Sequence, residues 1–170
     1  MSPPDFLARV YDDHAQALFA FLLNFTRHET ETKDLLQDLF VKLAKQPSLL
    51  EAARDERTFL IRLAHNQAID AMRRRGAREK KHEQFAAESV AVFATSADPD
   101  ERVFRQALAE ALGELPPEQR AVVHLKLWEG LTFEAIAEAC GIPLNTAASR
   151  YRYGLDKLRA RLRPLYEEIK

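Results

Sequence analysis

Apolar side chains recur at intervals of three and four residues along most of the chain, the spacing that places them on one face of an α-helix. In the first part of the chain this pattern predicts helices over residues 3–26, 32–45 and 57–75, with a short piece at residues 48–54. No stretch alternates apolar and polar residues with β-branched enrichment, which is the pattern of a half-buried strand. The pattern therefore predicts an all-α protein.

Further helices are predicted in the second part of the chain by the same periodicity and by the residues that begin and end helices. One runs from about Asp100 to Leu115. The next begins at Pro117, because proline suits a first helical turn, and ends at Gly130, because glycine readily adopts the left-handed conformation of a C-cap. Thr132 can cap the helix that follows with its hydroxyl group. The second part of the chain is therefore helical as well.

The stretch between these two helical parts has little periodicity. Residues 77–99 begin with charged side chains and continue with small, weakly patterned ones, a composition typical of interdomain linkers. At 170 residues the chain is long enough for two small domains. We therefore expect two small helical domains, residues 1–76 and 100–170, joined by a flexible linker.

Residues 132–163 have the pattern of two helices joined by a sharp turn, and the second of these helices is rich in arginine. Gly141 suits the turn, and the second helix is predicted to begin near Asn145 and to end before Pro164, because proline interrupts helices. This is the arrangement of a helix-turn-helix, whose second helix enters the major groove of DNA.

The net charge of −1 conceals blocks of opposite sign along the chain. Residues 57–82 carry 8 basic and 2 acidic side chains, and residues 141–170 carry 7 and 3. Residues 1–56 and 83–140 carry net charges of −4 and −7. Either basic block alone is compatible with an ordinary solvated face. Together they suggest two separate surfaces for an anionic partner.

Composition argues against several other classes of protein. The single cysteine, Cys140, excludes an internal disulfide and fits a reducing compartment. We expect no secretory signal, and no apolar run approaches the ~20 residues of a membrane span. The five histidines are scattered, and no glycine-rich phosphate loop is present. We expect a cytoplasmic protein with no catalytic residue, metal, cofactor, small-molecule substrate or membrane partner.

Three segments in order resemble the extracytoplasmic-function (ECF) sigma factors, small bacterial factors that direct RNA polymerase to promoters. Residues 34–43, DLLQDLFVKL, and residues 58–75, TFLIRLAHNQAIDAMRRR, are similar to region 2 of that family. Residues 111–162, which include the helix-turn-helix, are similar to region 4. The resemblance implies a protein that binds core RNA polymerase and promoter DNA and starts transcription, with an anti-sigma factor as a further candidate partner.

The resemblance also implies three sets of site residues. Region 4 would read the minus-35 element as a duplex, using Asn145, Thr146, Ala148, Ser149, Arg150, Arg152, Tyr153 and Lys157. Region 2 would recognise the minus-10 element and hold its melted single strand, using Arg62, His65, Asn66, Asp70, Arg73 and Arg74. The face of the second helix would meet core polymerase through Asp34, Gln37, Asp38 and Lys42. Residues 53–58 match the loop that lines the pocket for a flipped minus-10 base.

Individual residues allow more than one interpretation. Many family members carry a β-branched and a basic residue where this chain has Ala147 and Ala148, so a cationic base contact is missing at that point. We expect Tyr151 to pack in the core and His65 to lie on the helix surface. Asp70 could equally form an ion pair or a cap within its own domain.

Two other functions remain open on the sequence. A stand-alone helix-turn-helix regulator, binding duplex operators as a dimer, would account for residues 132–163 but not for the first half of the chain. A sigma decoy acting only on proteins would keep the fold and lack salt-sensitive DNA binding.

Overall fold

The computed structural model describes residues 2–78 and 98–169, and every regular element in these ranges is an α-helix. The predicted all-α class is confirmed, while residues 79–97 of the predicted linker lie outside the described residues. The helices of the described ranges are α1 (Pro3–Thr26), α2 (Glu29–Lys45), α3 (Ser48–Glu51), α4 (Glu56–Arg78), α5 (Pro99–Glu114), α6 (Pro117–Leu127), α7 (Phe133–Cys140) and α8 (Leu144–Ile169).

The residues predicted to begin helices do so, but α6 ends at Leu127 and not at the predicted Gly130. The Ser2 hydroxyl accepts a hydrogen bond from the amide of Asp5 at the start of α1. The Thr132 hydroxyl accepts one from Ala135 at the start of α7. Gly130 and Gly141 have positive φ angles of 64° and 66°, a conformation that glycine adopts without steric cost. Local chemistry therefore sets most of the helix boundaries.

Two helices of the first half are longer than predicted. Helix α2 begins at Glu29 because His28 acts as its N-cap, accepting a hydrogen bond from the Glu31 amide at 3.1 Å. Helix α4 continues to Arg78. Near its end, Arg75 Nη1 lies 2.6 Å from Glu31 Oε2 and ties the helix to α2.

The prediction that the last helix ends before Pro164 is wrong, because α8 continues through this residue to Ile169. A proline inside a helix removes one main-chain hydrogen bond and crowds the preceding turn. Here the turn before the proline is held by packing, since Leu162 lies against the apolar cluster that contains Leu112 and Leu158. Tertiary contacts thus outweigh the local cost of the proline.

In the first half, α1, α2 and α4 pack around a common apolar core. Each buried leucine or phenylalanine contributes about 1.5–3 kcal/mol relative to an exposed one, so these three stripes hold the bundle together. The buried core side chains are Val10, Leu18, Phe21, Leu22 and Phe25 of α1, Leu35, Leu39, Phe40 and Leu43 of α2, and Leu60, Ile61, Leu63, Ala64 and Ala68 of α4.

In the second half, α5, α6 and α8 enclose a smaller cluster of Ala111, Leu112, Leu115, Val123 and Leu158. Gly154 lets α8 approach α6 closely, since a Cβ at this position would lie 2.7 Å from a methyl group of Val123. Helix α7 packs against α8 and against α4 of the first half. The helix-turn-helix is therefore in direct contact with the first half.

The two halves share one continuous apolar core. Helix α1 packs against α6, and α4 packs against α7. The same cluster of buried residues contains Leu22 and Leu60 from the first half and Leu125 and Ile136 from the second. Two separately folded domains were expected from the sequence. The structure adds an extensive contact between them.

Arg120 of α6 joins the halves through the end of α1. Its side chain is only 3% exposed. The guanidinium donates hydrogen bonds to the main-chain carbonyls of Asn24 and Phe25, and within its own half to the carbonyl of Leu115 at 2.9 Å. The last carbonyls of a helix have no partner inside the helix and form its negative pole. Arg120 therefore completes helix α1 from the other half of the molecule.

Arg27 makes the reciprocal contact. It ends α1 in the left-handed conformation, with a φ of 62°, and its Nη2 donates to the carbonyl of Ala109 in α5 at 2.7 Å. Gly113 makes room for this guanidinium, because a Cβ there would lie 2.7 Å from Nη2. We call Arg27 and Arg120, with the carbonyls that they bind across the halves, the arginine clamp.

Candidate nucleic-acid interface

The start of α8 presents the residues predicted to read duplex DNA. The turn at Gly141 directs the helix away from α7, and Ala147 is fully buried against the core. The N-terminal end of a helix favours phosphate because its amides and dipole are positive. Asn145, Arg152, Tyr153 and Lys157 are exposed, whereas Thr146, Ala148, Ser149 and Arg150 are half-buried.

The two tyrosines of α8 have different environments. Tyr151 is half-buried and meets the ring of Phe133 edge-on, with the ring centres 5.5 Å apart. The predicted packing role of Tyr151 is confirmed. Tyr153 is 54% exposed, and the guanidinium of Arg152 lies 5.2 Å from the centre of its ring. Arg152 and Tyr153 therefore form a cationic and aromatic pair on the open side of the helix.

Helix α4 carries the second predicted DNA surface. Its exposed side has side chains at intervals of three and four residues and ends in a basic pair. The exposed members are Arg62, Asn66, Asp70, Arg73 and Arg74.

His65 does not belong to this exposed stripe. It is only 8% exposed, and its ring centre lies 5.4 Å from that of Phe25. The prediction that His65 lies on the helix surface is wrong, because this position turns toward α1. Burial lowers the pKa of His65, and the charge of Arg150 in α8 lowers it further.

A cavity of about 480 Å³ adjoins the beginning of α4. The first half lines it with residues of the 52–58 segment and with Arg62. Thr58 donates a hydrogen bond to Asp55, which shapes the loop. The second half lines the same cavity with Glu134 and Glu138 of α7. Sequence reasoning missed this contribution, since nothing local in α7 indicates that it faces α4.

The predicted polymerase-binding residues of α2, namely Asp34, Gln37, Asp38 and Lys42, are all exposed. Beside Gln37 lies an apolar groove between α1 and α2, with a volume of about 520 Å³. Tyr11 is 52% exposed and Val41 45% exposed at this groove, and the ring of Tyr11 packs 5.0 Å from that of Phe40. Tyr11 and Val41 were missed from the sequence, although each is a large apolar residue outside the core stripe of its helix.

His124 of α6 is buried where the halves meet. It is 1% exposed, its Nδ1 lies 3.1 Å from Asn24 Nδ2, and its ring lies 5.7 Å from that of Phe21. Burial lowers the pKa of His124 to about 4. Neutral imidazole is therefore the form that fits this contact.

Cys140 is the last residue of α7 and is half-buried. Burial raises the pKa of the Cys140 thiol to about 12, so it stays protonated and a poor nucleophile. Within residues 2–78 and 98–169, no group of three His, Cys, Asp or Glu side chains is placed to hold a metal ion. No helix in these ranges is both long and apolar enough to cross a membrane.

Comparison with known protein families gives two matches along the chain. Residues 10–78 match the model of sigma-70 region 2. Residues 105–158 match the model of sigma-70 region 4. The first match contains α4 and the α2 face, and the second contains the helix-turn-helix.

Curated relatives align over nearly the whole chain. The ECF RNA polymerase sigma factor SigL of Mycobacterium tuberculosis is 30% identical over 160 residues, which cover 92% of this chain and 88% of the relative. SigX of Bacillus subtilis, also an ECF RNA polymerase sigma factor, is 26% identical over 165 residues, covering 94% and 85%. The RNA polymerase sigma factor CarQ of Myxococcus xanthus is 30% identical over 158 residues, covering 92% and 88%.

A solved structure has the same fold. The sigma factor RpoE of Bartonella quintana, in complex with the anti-sigma factor NepR, aligns with a TM-score of 0.68 and 22% identity. The alignment covers 94% of this chain and 96% of the solved one.

The buried position of His124 predicts a pH-dependent stability. The unfolded chain takes up a proton on this residue near pH 6.5, and the folded chain only near pH 4. The stabilising contribution is therefore complete above pH 6.5 and is lost as the pH falls toward 4. At about 1.4 kcal/mol per pKa unit, the loss is on the order of 3 kcal/mol.

Urea unfolding of the native chain and of His124→Gln, measured between pH 7.5 and 4, tests this expectation. Glutamine can still bind Asn24 but does not titrate, so the free energy of unfolding should fall less steeply in the variant. The difference between the two chains isolates the contribution of His124 to the pH dependence from that of the carboxylates, which both chains share. Parallel curves would contradict the expectation.

Proposed function

The chain belongs to the extracytoplasmic-function sigma factors of bacterial RNA polymerase, and we propose that its two halves divide the reading of a promoter between them. Members of this family bind core RNA polymerase and recognise promoters to start transcription, and so does this chain. The observation that carries the proposed division is the presence of two exposed basic helix faces, one on α4 and one on α8. We assign residues 1–76 to region 2, residues 77–99 to the linker and residues 100–170 to region 4.

Region 2 would recognise the minus-10 element and capture its melted strand on α4. Cationic side chains can follow the phosphates of a single strand, while a pocket holds a base that has left the stack. The basic end at Arg73 and Arg74 suits the first task, and the cavity beside Arg62 suits the second. Asn66 and Asp70 lie along the exposed stripe between them and would contact bases or sugars. His65 would join this set only after the residues that bury it have moved away.

Region 4 would read the minus-35 duplex with the first turns of α8. Arg152 can bind guanine bidentately, and the Ser149 hydroxyl can donate to or accept from a base edge. Ala148 would contact a thymine methyl group, and Asn145 and Lys157 would hold phosphates. We assign Thr146, Arg150 and Tyr153 to the flanks of the same interface.

Core polymerase would bind region 2 across α2. The exposed charges of Asp34, Asp38 and Lys42 would orient the partner, as charges at the rim of an interface do. The apolar groove beside Gln37 would provide the desolvated centre of the contact, with Tyr11 as its aromatic anchor. We propose that this chain contributes recognition and strand capture in the cytoplasm, while the polymerase performs the chemistry without a cofactor from this protein. A further candidate partner is an anti-sigma factor, since the solved RpoE neighbour is bound to one.

Transcription with purified components tests the proposed function. Core polymerase supplemented with this chain should start RNA at discrete positions on a fragmented genomic template of a bacterial host, and sequencing of transcript ends would give both promoter elements. Core polymerase alone provides the control. Absence of discrete starts would contradict the function, and a stand-alone repressor would give that result.

The minus-35 assignment predicts base-specific losses on mutation. Ser149→Ala and Arg152→Ala should each cost about 1–3 kcal/mol at particular base pairs, because each removes a hydrogen bond to a base edge. Binding to a panel of duplexes substituted one base pair at a time measures this effect. Lys157→Ala is the comparison, since loss of a phosphate contact weakens all sequences alike. If Arg152→Ala instead lowers the affinity for all duplexes equally, Arg152 contacts a phosphate and not a base.

The polymerase face predicts a loss of core binding on charge reversal. Asp34→Lys with Asp38→Lys should weaken binding to core polymerase roughly tenfold or more, about 1.4 kcal/mol, without affecting the fold. Glu51→Lys with Glu110→Lys provides a control with the same charge change at exposed positions outside α2. Equal affinities of the two double variants for core polymerase would show that the α2 face is not part of the interface.

A further inference from the structure

The loop that leads into helix α4 is tied to helix α1 by three polar side chains. Residues 52–55 and Thr58 line the cavity at the beginning of α4. Glu56 lies between them in the chain and contacts α1. Its carboxylate accepts hydrogen bonds from Arg9 Nη2 at 2.7 Å and Nη1 at 3.2 Å, and it lies 2.7 Å from His14 Nε2. We call Arg9, His14 and Glu56 the α1 tether.

We propose that the α1 tether sets the shape of this cavity, and that Arg9 is a positioning residue for the base captured from the minus-10 element. Arg9 would not touch the base and would act through Glu56 on the loop. This inference rests on the proposed function, because it takes the cavity as the pocket for that base. Its supports are the geometry of the tether, the way in which Arg9 itself is held and the anchoring of the loop.

The contacts of Glu56 are those of an oriented ion pair. A guanidinium that donates to both oxygens of one carboxylate fixes the direction as well as the distance between the two groups. Arg9 binds Glu56 in this way, and His14 lies against one of the same oxygens. The hydrogen bonds from Arg9 and, to a smaller extent, from His14 lower the pKa of Glu56 to about 2. The carboxylate is therefore ionised at neutral pH and suited to hold this geometry.

Arg9 is itself held on α1 by two neighbours. Its guanidinium carbon lies 5.3 Å from the ring centre of Phe6, three residues earlier. Its Nη1 also donates to Asp13, four residues later, at 3.2 Å. Contacts with an aromatic face and at the i,i+4 spacing both stabilise one orientation of a long cationic side chain. Since Val10 next to Arg9 is fully buried in the core, the tether connects the beginning of α4 to a fixed part of α1.

The loop is anchored at its other end by the core. Leu50 of α3 is only 5% exposed, and its carbonyl accepts a hydrogen bond from the amide of Ala53 at 3.1 Å. Toward α4, the Thr58 hydroxyl donates to Asp55. Recognition of a flipped base requires its contacts to be placed within about 0.5 Å. Loss of the tether at Glu56 would therefore change base recognition while the buried core keeps the bundle folded.

Glu56→Gln and Arg9→Gln break the ion pair from either end and keep good helix formers at both positions. Glu29→Gln is the matched control. Glu29 is the first residue of α2, as Glu56 is of α4. Both side chains are 31% exposed, and Glu29 also pairs with a cation, Lys33 Nζ at 3.2 Å. The control thus removes an equivalent carboxylate that is not part of the tether.

The experiment measures base preference with holoenzyme formed from core polymerase and each full-length chain. The probes are copies of one promoter identified by sequencing of transcript ends, with the minus-10 region mismatched so that its non-template strand is single. Each position of that strand carries each of the four bases in turn, and competition binding gives the relative affinities. The native chain should prefer one base at the captured position by about tenfold or more.

Glu56→Gln and Arg9→Gln should each reduce this preference to about threefold or less. The double variant should lose no more than either single variant, because all three lack the same contact. Affinity for core polymerase, preference at the minus-35 base pairs and the melting temperature should stay native. Glu29→Gln should resemble the native chain in every measurement.

Four results would overturn the inference. They are a native preference in Glu56→Gln, an equal loss at the minus-35 base pairs, additive losses in the double variant, and the same loss in Glu29→Gln. A native chain that starts RNA at discrete positions but prefers no base in the melted strand would also overturn it, while leaving the function in transcription intact. Failure of the proposed function itself is distinguished by the absence of discrete starts.

Discussion

The carbonyl groups at the end of helix α1 need hydrogen-bond donors, and in this molecule Arg120 provides them from the other half of the chain. A helix end on the surface would be completed by water or by a local cap. Here the end is covered by α6, so a donor must come from within the protein, and a guanidinium suits both the geometry and the negative pole of the helix. The Arg120 side chain is therefore buried at 3% exposure with its charge directed at main-chain carbonyls.

Together with the apolar core that the halves share, this contact holds α6 against α1. With α6 fixed against α1, the helix-turn-helix follows, and α7 lies on α4. Helix α4 thus faces the core of its own bundle on one side, α7 on another and solvent along the exposed stripe. The same helix is proposed to bind the melted strand.

Much of the molecule could be predicted from the sequence, because most helix boundaries depend on local chemistry. Thr132 and Gly141 cap helices by rules that involve only their immediate neighbours. The family resemblance, carried by short motifs in α2, α4 and α8, suggested the three candidate sites. Predictions from local rules were wrong where tertiary packing outweighs the local preference. One such place is Pro164, where packing of Leu162 allows α8 to continue.

The contact between the halves could not be predicted in this way. Charged residues are almost never fully buried unless they are paired, so Arg120 was not expected in a core. Its partners are main-chain carbonyls, which every residue has, and they lie 95 and 96 positions away. Neither periodicity nor composition indicates such a pair. The acidic groups at the cavity were missed for the same reason, since Glu134 and Glu138 resemble ordinary surface residues of α7.

Energy transfer between two dyes, one on the exposed face of α2 and one on the exposed face of α5, tests the central claim most directly. The claim is that Arg120, by binding the carbonyls at the end of α1, holds the two halves against each other. Transfer should be efficient for the native chain and should fall in Arg120→Ala, while circular dichroism shows an unchanged helical content. Efficiency that is low in the native chain, or equally high in Arg120→Ala, would contradict this account.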